Sequence, residues 1–150
     1  MTSQQSYQRP HEGKLGIVTG GSRGIGAAVA RGLAAKGCNL LLVYTSDSST
    51  KPAQALSDEL VAAHGIRVAL LQADLREAEA AAPRIVEAAR VLFASLHSSA
   101  RDEDFTIDIL INNAGISLNK RLNDPVKGPV EASEFDRLYR VNVLAPLLLM

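Results

Sequence analysis

The sequence predicts an α/β fold, a parallel sheet doubly wound by helices on both faces, and three observations predict it. Short β-type apolar runs alternate with stretches of helical period, the pattern of successive βαβ units. One run, Leu40-Leu41-Leu42-Val43-Tyr44, is apolar without alternation, as in a strand covered on both sides. The first run opens into a glycine-rich turn followed directly by a helix-period stretch. At 150 residues, 47% of them hydrophobic, the chain is sized for one domain with its own core.

The elements follow in order. Residues 1–13 are polar and read as a loose flexible tail, so the domain spans 14–150. Leu15 to Thr19 is the first strand. After the turn, Ile25, Ala28, Val29, Gly32 and Leu33 fall on one helical face, and Gly37 ends that helix in the left-handed conformation. Leu40 to Tyr44 is the second strand and Ser46 to Thr50 a polar turn. Pro52 suits the first turn of a helix that turns Ala53, Leu56, Leu60 and Val61 inward, and Gly65 stops it. Ile66 to Ala73 is the third strand. The next helix carries Ile85, Ala89, Leu92, Phe93 and Leu96 on one side, with Pro83 expected at its start. A charged connector, Ser98 to Asp104, leads to the fourth strand, Phe105 to Ile111, and to the turn Asn112-Asn113-Ala114-Gly115. Beyond a long polar loop, Ser133 and Asp136 have capping-box spacing for a last helix bearing Phe135, Leu138 and Asn142, which Pro146 should kink or break.

Composition removes several classes of function. Sixteen basic residues balance sixteen acidic ones, so the field that non-specific nucleic-acid binding or polybasic membrane attachment needs is absent. No apolar stretch approaches the roughly 20 residues of a membrane span. His11, His64 and His97 lack ligand-type spacing, and lone Cys38 has no partner for an internal disulfide, so no metal is expected and a reducing cytoplasm fits.

The chemistry concentrates after the first strand. In Gly20-Gly21-Ser22-Arg23-Gly24-Ile25-Gly26, glycines let the backbone approach a pyrophosphate, while the following helix offers free N–H groups and a positive dipole end. The spacing Gly-x-x-x-Gly-x-Gly differs from the general dinucleotide fingerprint Gly-x-Gly-x-x-Gly. Taken alone, such a turn also serves as a tight strand-to-helix connection with no ligand.

Thr19-Gly20-Gly21-Ser22-Arg23-Gly24-Ile25-Gly26, Asp74-Leu75 after the third strand, Asn112-Asn113-Ala114-Gly115 after the fourth, and Val141-Asn142-Val143 together resemble the short-chain dehydrogenase/reductase family from about Lys14 onward. The Gly-x-Ser-Arg-Gly-Ile-Gly wording is similar to its 3-oxoacyl-acyl-carrier-protein reductase branch. The resemblance implies a Rossmann-type three-layer sandwich, C-terminally incomplete, whose four strands lie in the order 3-2-1-4 with a coenzyme crossing between the first and fourth. It implies that Gly20, Ser22, Arg23, Gly24, Ile25 and Gly26 cradle the phosphates and adenosine ribose. By the same resemblance Asp74 and Leu75 meet the adenine, and Asn113, Ala114 and Gly115 line the nicotinamide ribose. Asp74 equally suits a helix N-cap. Asn142 corresponds to an asparagine that holds a water in the proton relay, although an Asn beside Pro146 could equally bind a freed carbonyl.

Coenzyme choice turns on the end of the second strand. The family's discriminating carboxylate falls at Tyr44, where none stands. Thr45 and Ser46 follow, Asp47 lies further along the turn, and Arg23 adds a guanidinium able to grip a phosphate, so NADP is expected over NAD.

In this family a Tyr protonates the developing alkoxide, a Lys four residues later lowers its pKa, and a catalytic Ser follows a fifth strand. Here the residues four places after Tyr7, Tyr44 and Tyr139 are His11, Ser48 and Val143. One reading is the N-terminal, coenzyme-binding part of an NADP-dependent oxidoreductase acting on a small carbonyl or alcohol. In that reading further strands and the catalytic set follow Met150, homo-oligomers are possible, and the chain is inactive alone. The other reading is a complete, non-catalytic NADP-binding or interaction module.

Overall fold

The computed structural model describes residues 9–97 and 101–150. Strands β1 (Leu15–Thr19) and β2 (Asn39–Tyr44) are buried throughout. From β2, Leu41 and Val43 join Leu15, Ile17 and Ile85 in one core cluster, while Leu40 and Leu42 join Val18, Ala30 and Leu60 in the other. Having a core on each side is why this run shows no alternation. Full burial of one such side chain contributes about 2 kcal/mol, so β2 anchors both layers.

Helices α1 (Gly24–Ala35) and α2 (Thr50–His64) cover one face. The other carries α3 (Ala78–Leu96), with Val141 and Ala145 packed beside it. With β3 (Val68–Gln72) and β4 (Ile109–Ile111), the sheet runs β3-β2-β1-β4, all parallel, Ile17 lying opposite both Leu41 and Leu110. The chain builds outward from β1 on one side and then returns to its other side at β4. A crevice therefore opens beyond the carboxyl ends of β1 and β4. A short antiparallel pair, β5 (Asn123–Asp124) and β6 (Gly128–Pro129), interrupts the loop before α4 (Ala132–Tyr139), a π turn (Arg140–Leu144) and α5 (Ala145–Leu149). Among the described residues, no helix is long and apolar enough to cross a membrane.

Several expectations are corrected. The buried face of α1 is Gly26, Ala27, Ala30 and Ala34, and Ile25 is 77% exposed, because close approach to the sheet selects small side chains rather than the most apolar ones. Pro83 lies inside α3 rather than at its start. Asp74 caps a short 3₁₀ turn, Leu75–Glu77, by accepting from the Arg76 N–H at 3.0 Å, and the alanine-rich stretch extends the helix from there. The capping box of α4 is Glu131 with Glu134, two residues before the expected Ser133 and Asp136. β4 is shorter than expected because Phe105 is used in packing, edge-on to Phe93 and under the Arg90 guanidinium. Residues 9–13, assigned to the loose tail, are tied down: Arg9 Nη2 donates to the His64 carbonyl at 2.9 Å, at the negative end of α2, and the His11 N–H donates to Lys36. The remainder of the tail, with Tyr7, and residues 98–100 of the connector lie outside the described residues.

Pro146 does not break the last helix but changes its winding. It has no N–H to offer the Asn142 carbonyl, and just before it the Ala145 N–H donates to Arg140, five residues back.

Candidate functional site

The crevice is built from the loops after β1 and β4, and Thr19 locks them together. Its Oγ1 accepts from the Asn113 and Ala114 N–H groups at 3.1 and 3.0 Å. In return Asn113 Nδ2 donates to the carbonyls of Thr19 and Gly20 at 2.9 and 3.2 Å. Contact this close leaves no room for side chains. A Cβ on Gly20, where φ is +66°, would sit 2.9 Å from Asn113 Nδ2, and one on Gly26 would sit 2.2 Å from the Gly20 carbonyl oxygen. The glycines thus close the turn against the fourth-strand loop. The first-turn N–H groups of α1 meanwhile lack intrahelical acceptors, which is the chemistry of an anion cup.

Around this cup lies a cleft of about 250 Å³ bounded by Gly20, Ser22, Arg23, Thr45, Ser46, Asn113, Ala114 and Gly115, with Tyr44, Ser49, Ile116 and Val141 completing it. Arg23 is the one charged residue in that lining. Its Nη2 donates to Ser49 Oγ at 2.8 Å, and among the described residues it forms no ion pair. Asp47 faces elsewhere: its carboxylate accepts from Gln72 Nε2 at 2.8 Å. A second cleft of about 310 Å³ shares Thr45, Ile116 and Val141 with the first and adds Asp74, Leu75, Arg76, Ser117 and Arg137. Shared walls at Thr45, Ile116 and Val141 make the two clefts contiguous.

Asp74 is held below the usual carboxylate range, chiefly by the Arg76 side chain and also by the Arg76 N–H. Its capping role is therefore present, on the rim of the cleft expected to take adenine. Asn142 is exposed and is not among the residues lining either cleft. Its Oδ1 accepts from the Ile116 N–H at 2.9 Å and its Nδ2 donates to the Ile116 carbonyl at 2.8 Å, bracketing the start of the long loop. Gly24, Ile25 and Gly26 shape the turn without lining either cleft, and Asn113 spends its amide on the first loop. Ser49, Ile116 and Arg137 line the crevice with no signal in the sequence, since each arrives from an element whose local pattern reads as turn or helix surface.

A family model described as short chain dehydrogenase matches residues 14–150. The chain is 59% identical over 141 residues to L-xylo-3-hexulose reductase of Hypocrea jecorina and 50% identical over 141 residues to L-xylulose reductase of Aspergillus niger. In each case 94% of this chain aligns with 46% of the relative, so it spans about half their length. It also resembles the crystal structure of a blue fluorescent protein from a metagenomic library in complex with NADPH, with a TM-score of 0.77 and 38% identity, over 93% of this chain and 49% of that one.

Proposed function

Because the chain belongs to the short-chain dehydrogenase family, we propose that its crevice holds NADP(H) for the reduction of a small carbonyl substrate. The observation that carries this is the cleft's charge: one guanidinium, Arg23, in no ion pair among the described residues, beside the hydroxyls of Thr45, Ser46 and Ser49, with the nearby Asp47 carboxylate turned onto Gln72. A carboxylate there would repel a ribose 2′-phosphate, whereas an arginine attracts it. The residues fit the coenzyme, since the glycine turn packs so closely on the fourth-strand loop that a Cβ on Gly20 or Gly26 has no room, which keeps the backbone N–H groups at the start of α1 clear of side chains from these positions.

In this reading Gly20, Ser22 and the first turn of α1 bind the diphosphate, and Arg23, Thr45 and Ser46 bind the adenosine ribose and its phosphate. Asp74 and Leu75 flank the adenine. Asn113, Ala114 and Gly115 flank the nicotinamide ribose, and Asn142 orients the loop at Ile116. When bound, the coenzyme supplies a hydride to the carbonyl carbon. No Tyr-x-x-x-Lys occurs within the 150 residues, so they are expected to bind coenzyme without turnover.

For the substrate we place a ketose first. The relatives named as ketose reductases match over 141 residues, whereas the likeness to 3-oxoacyl reductases rests on the wording of one loop. Two measurements test the proposal. Calorimetric titration of the chain should give tighter binding of NADPH than of NADH, and the reverse order, or no saturable uptake of either, would overturn it. The protein purified from its own source, assayed on L-xylo-3-hexulose, L-xylulose and an acetoacetyl thioester, should consume NADPH with a ketose. Consumption with the thioester alone would move the substrate assignment.

A further inference from the structure

Ser49 has an unusual position for a hydroxyl. It immediately precedes α2, where a serine ordinarily accepts from the N–H of the second or third helical residue, yet its side chain makes no capping bond. Two local features explain this. The third helical residue is Pro52, which has no N–H, and the Ser49 backbone is helical (φ −92°, ψ −10°) rather than extended, a consequence of the 3₁₀ turn Asp47–Ser49. The hydroxyl is only 3% exposed as a residue and is committed elsewhere. It accepts from Arg23 Nη2 at 2.8 Å and lies 3.2 Å from Ser46 Oγ. Arg23 is 26 residues away, at the N-cap of α1, with its side chain otherwise exposed. A long exposed arginine loses up to about 2 kcal/mol of rotamer freedom when fixed, and the bond to a buried hydroxyl in the same cleft wall meets part of that cost before any ligand arrives.

We propose that Ser49 is a positioning residue for coenzyme selection: it holds the Arg23 guanidinium over the end of β2, where the 2′-phosphate of NADP(H) would lie. This rests on the reading that the cleft takes NADP(H). Because Ser49 spends nothing on capping α2, removing its hydroxyl should leave the helix intact and alter only the discrimination between the two coenzymes.

The test is calorimetric titration of NADPH and NADH into the wild-type chain and into Ser49→Ala, Ser49→Thr and Ser49→Val. Thr and Val have nearly the same shape and differ in the hydroxyl, so that pair isolates the hydrogen bond even if the Ala variant folds poorly. The expected result is a loss of about tenfold in NADPH affinity for Ala and Val, with Thr near wild type and NADH affinity unchanged throughout. Unchanged NADPH affinity in Val and Ala would overturn the role of Ser49 while leaving NADP(H) binding standing. An equal loss for both coenzymes would overturn it too, by showing a general structural effect. A wild-type chain that binds neither coenzyme, or prefers NADH, would overturn the underlying reading itself.

Discussion

Thr19 is the residue on which the two loops of the crevice meet. It is 1% exposed, and its hydroxyl is the acceptor for the Ala114 N–H as well as one acceptor for the Asn113 N–H, which also reaches the Ile111 carbonyl. Val has almost the same shape and no acceptor, so Thr19→Val would leave the half-buried Ala114 amide without its protein partner. The expected cost is about 2 kcal/mol, visible as a lower midpoint in urea with an unchanged m value. NADPH binding should weaken as well, because the Asn113–Gly115 turn loses its tether. A variant as stable as the parent would show that the β1 and β4 loops are held by the Asn113 amide alone. The partners that give Thr19 this role are 94 and 95 residues distant in the chain, which is why local sequence shows only the end of a strand.

The start of α4 combines a cap with a charge. Glu134 accepts from the Glu131 N–H at 2.9 Å and faces Lys120 Nζ at 2.6 Å, and the Lys120 side chain is only 7% exposed while it also donates to the Pro129 carbonyl. The Glu131 N–H and then the Lys120 ammonium hold the Glu134 carboxyl below the usual carboxylate range. A depressed carboxylate stabilises the fold above the unfolded-state value of about 4.3, and this contribution disappears as the pH falls through the lower folded-state value. At pH 7 the melting temperature should fall in the order wild type, Glu134→Gln, Glu134→Ala, since Gln keeps the acceptor and loses only the charge. The gap between wild type and Gln should close in acid, where the protonated Glu becomes equivalent to Gln. A gap that persists at pH 3, or none at pH 7, would dismiss the ion pair. This cap shows what was legible at the scale of elements. The existence and type of the four strands and the main helices follow from period and punctuation. The capping pair and the buried stripe of α1 do not, because small residues and glutamates carry weak local signals and are selected by neighbours brought close in space. Pro83 sits inside α3 for a related reason: the 3₁₀ turn that Asp74 caps leads into the helix at Ala78, five residues before the proline.

At the scale of the molecule, the strand order is what the family resemblance implies, and the location of the crevice is legible because the motifs fall at the carboxyl ends of β1, β2, β3 and β4, which a parallel sheet brings to one edge. The use of individual side chains there is less so: Asn113 staples loops, Asn142 brackets Ile116, and Ser49 and Arg137 carry no local signal. Cys38 lies at the opposite edge, where β2 begins, and so reports on whether the two ends behave as one unit. Its thiol is fully buried among Val18, Ala30 and Leu40 and is pushed up to about 11, first by burial and then by the charge of Asp108. At pH 8 roughly one such thiol in a thousand is ionised, and the sulfur is shielded as well, so an aromatic disulfide reagent should label it only when the α1–α2 layer leaves the sheet. If that opening is the cooperative unfolding of the whole domain, a ligand bound at the far edge must slow labelling by 1 + [L]/Kd. NADPH at one hundred times its Kd should then slow labelling of Cys38 about a hundredfold. Labelling that ignores NADPH, while the coenzyme still binds, would mean that the amino edge of the sheet opens by itself and that the crevice is coupled only to its own loops.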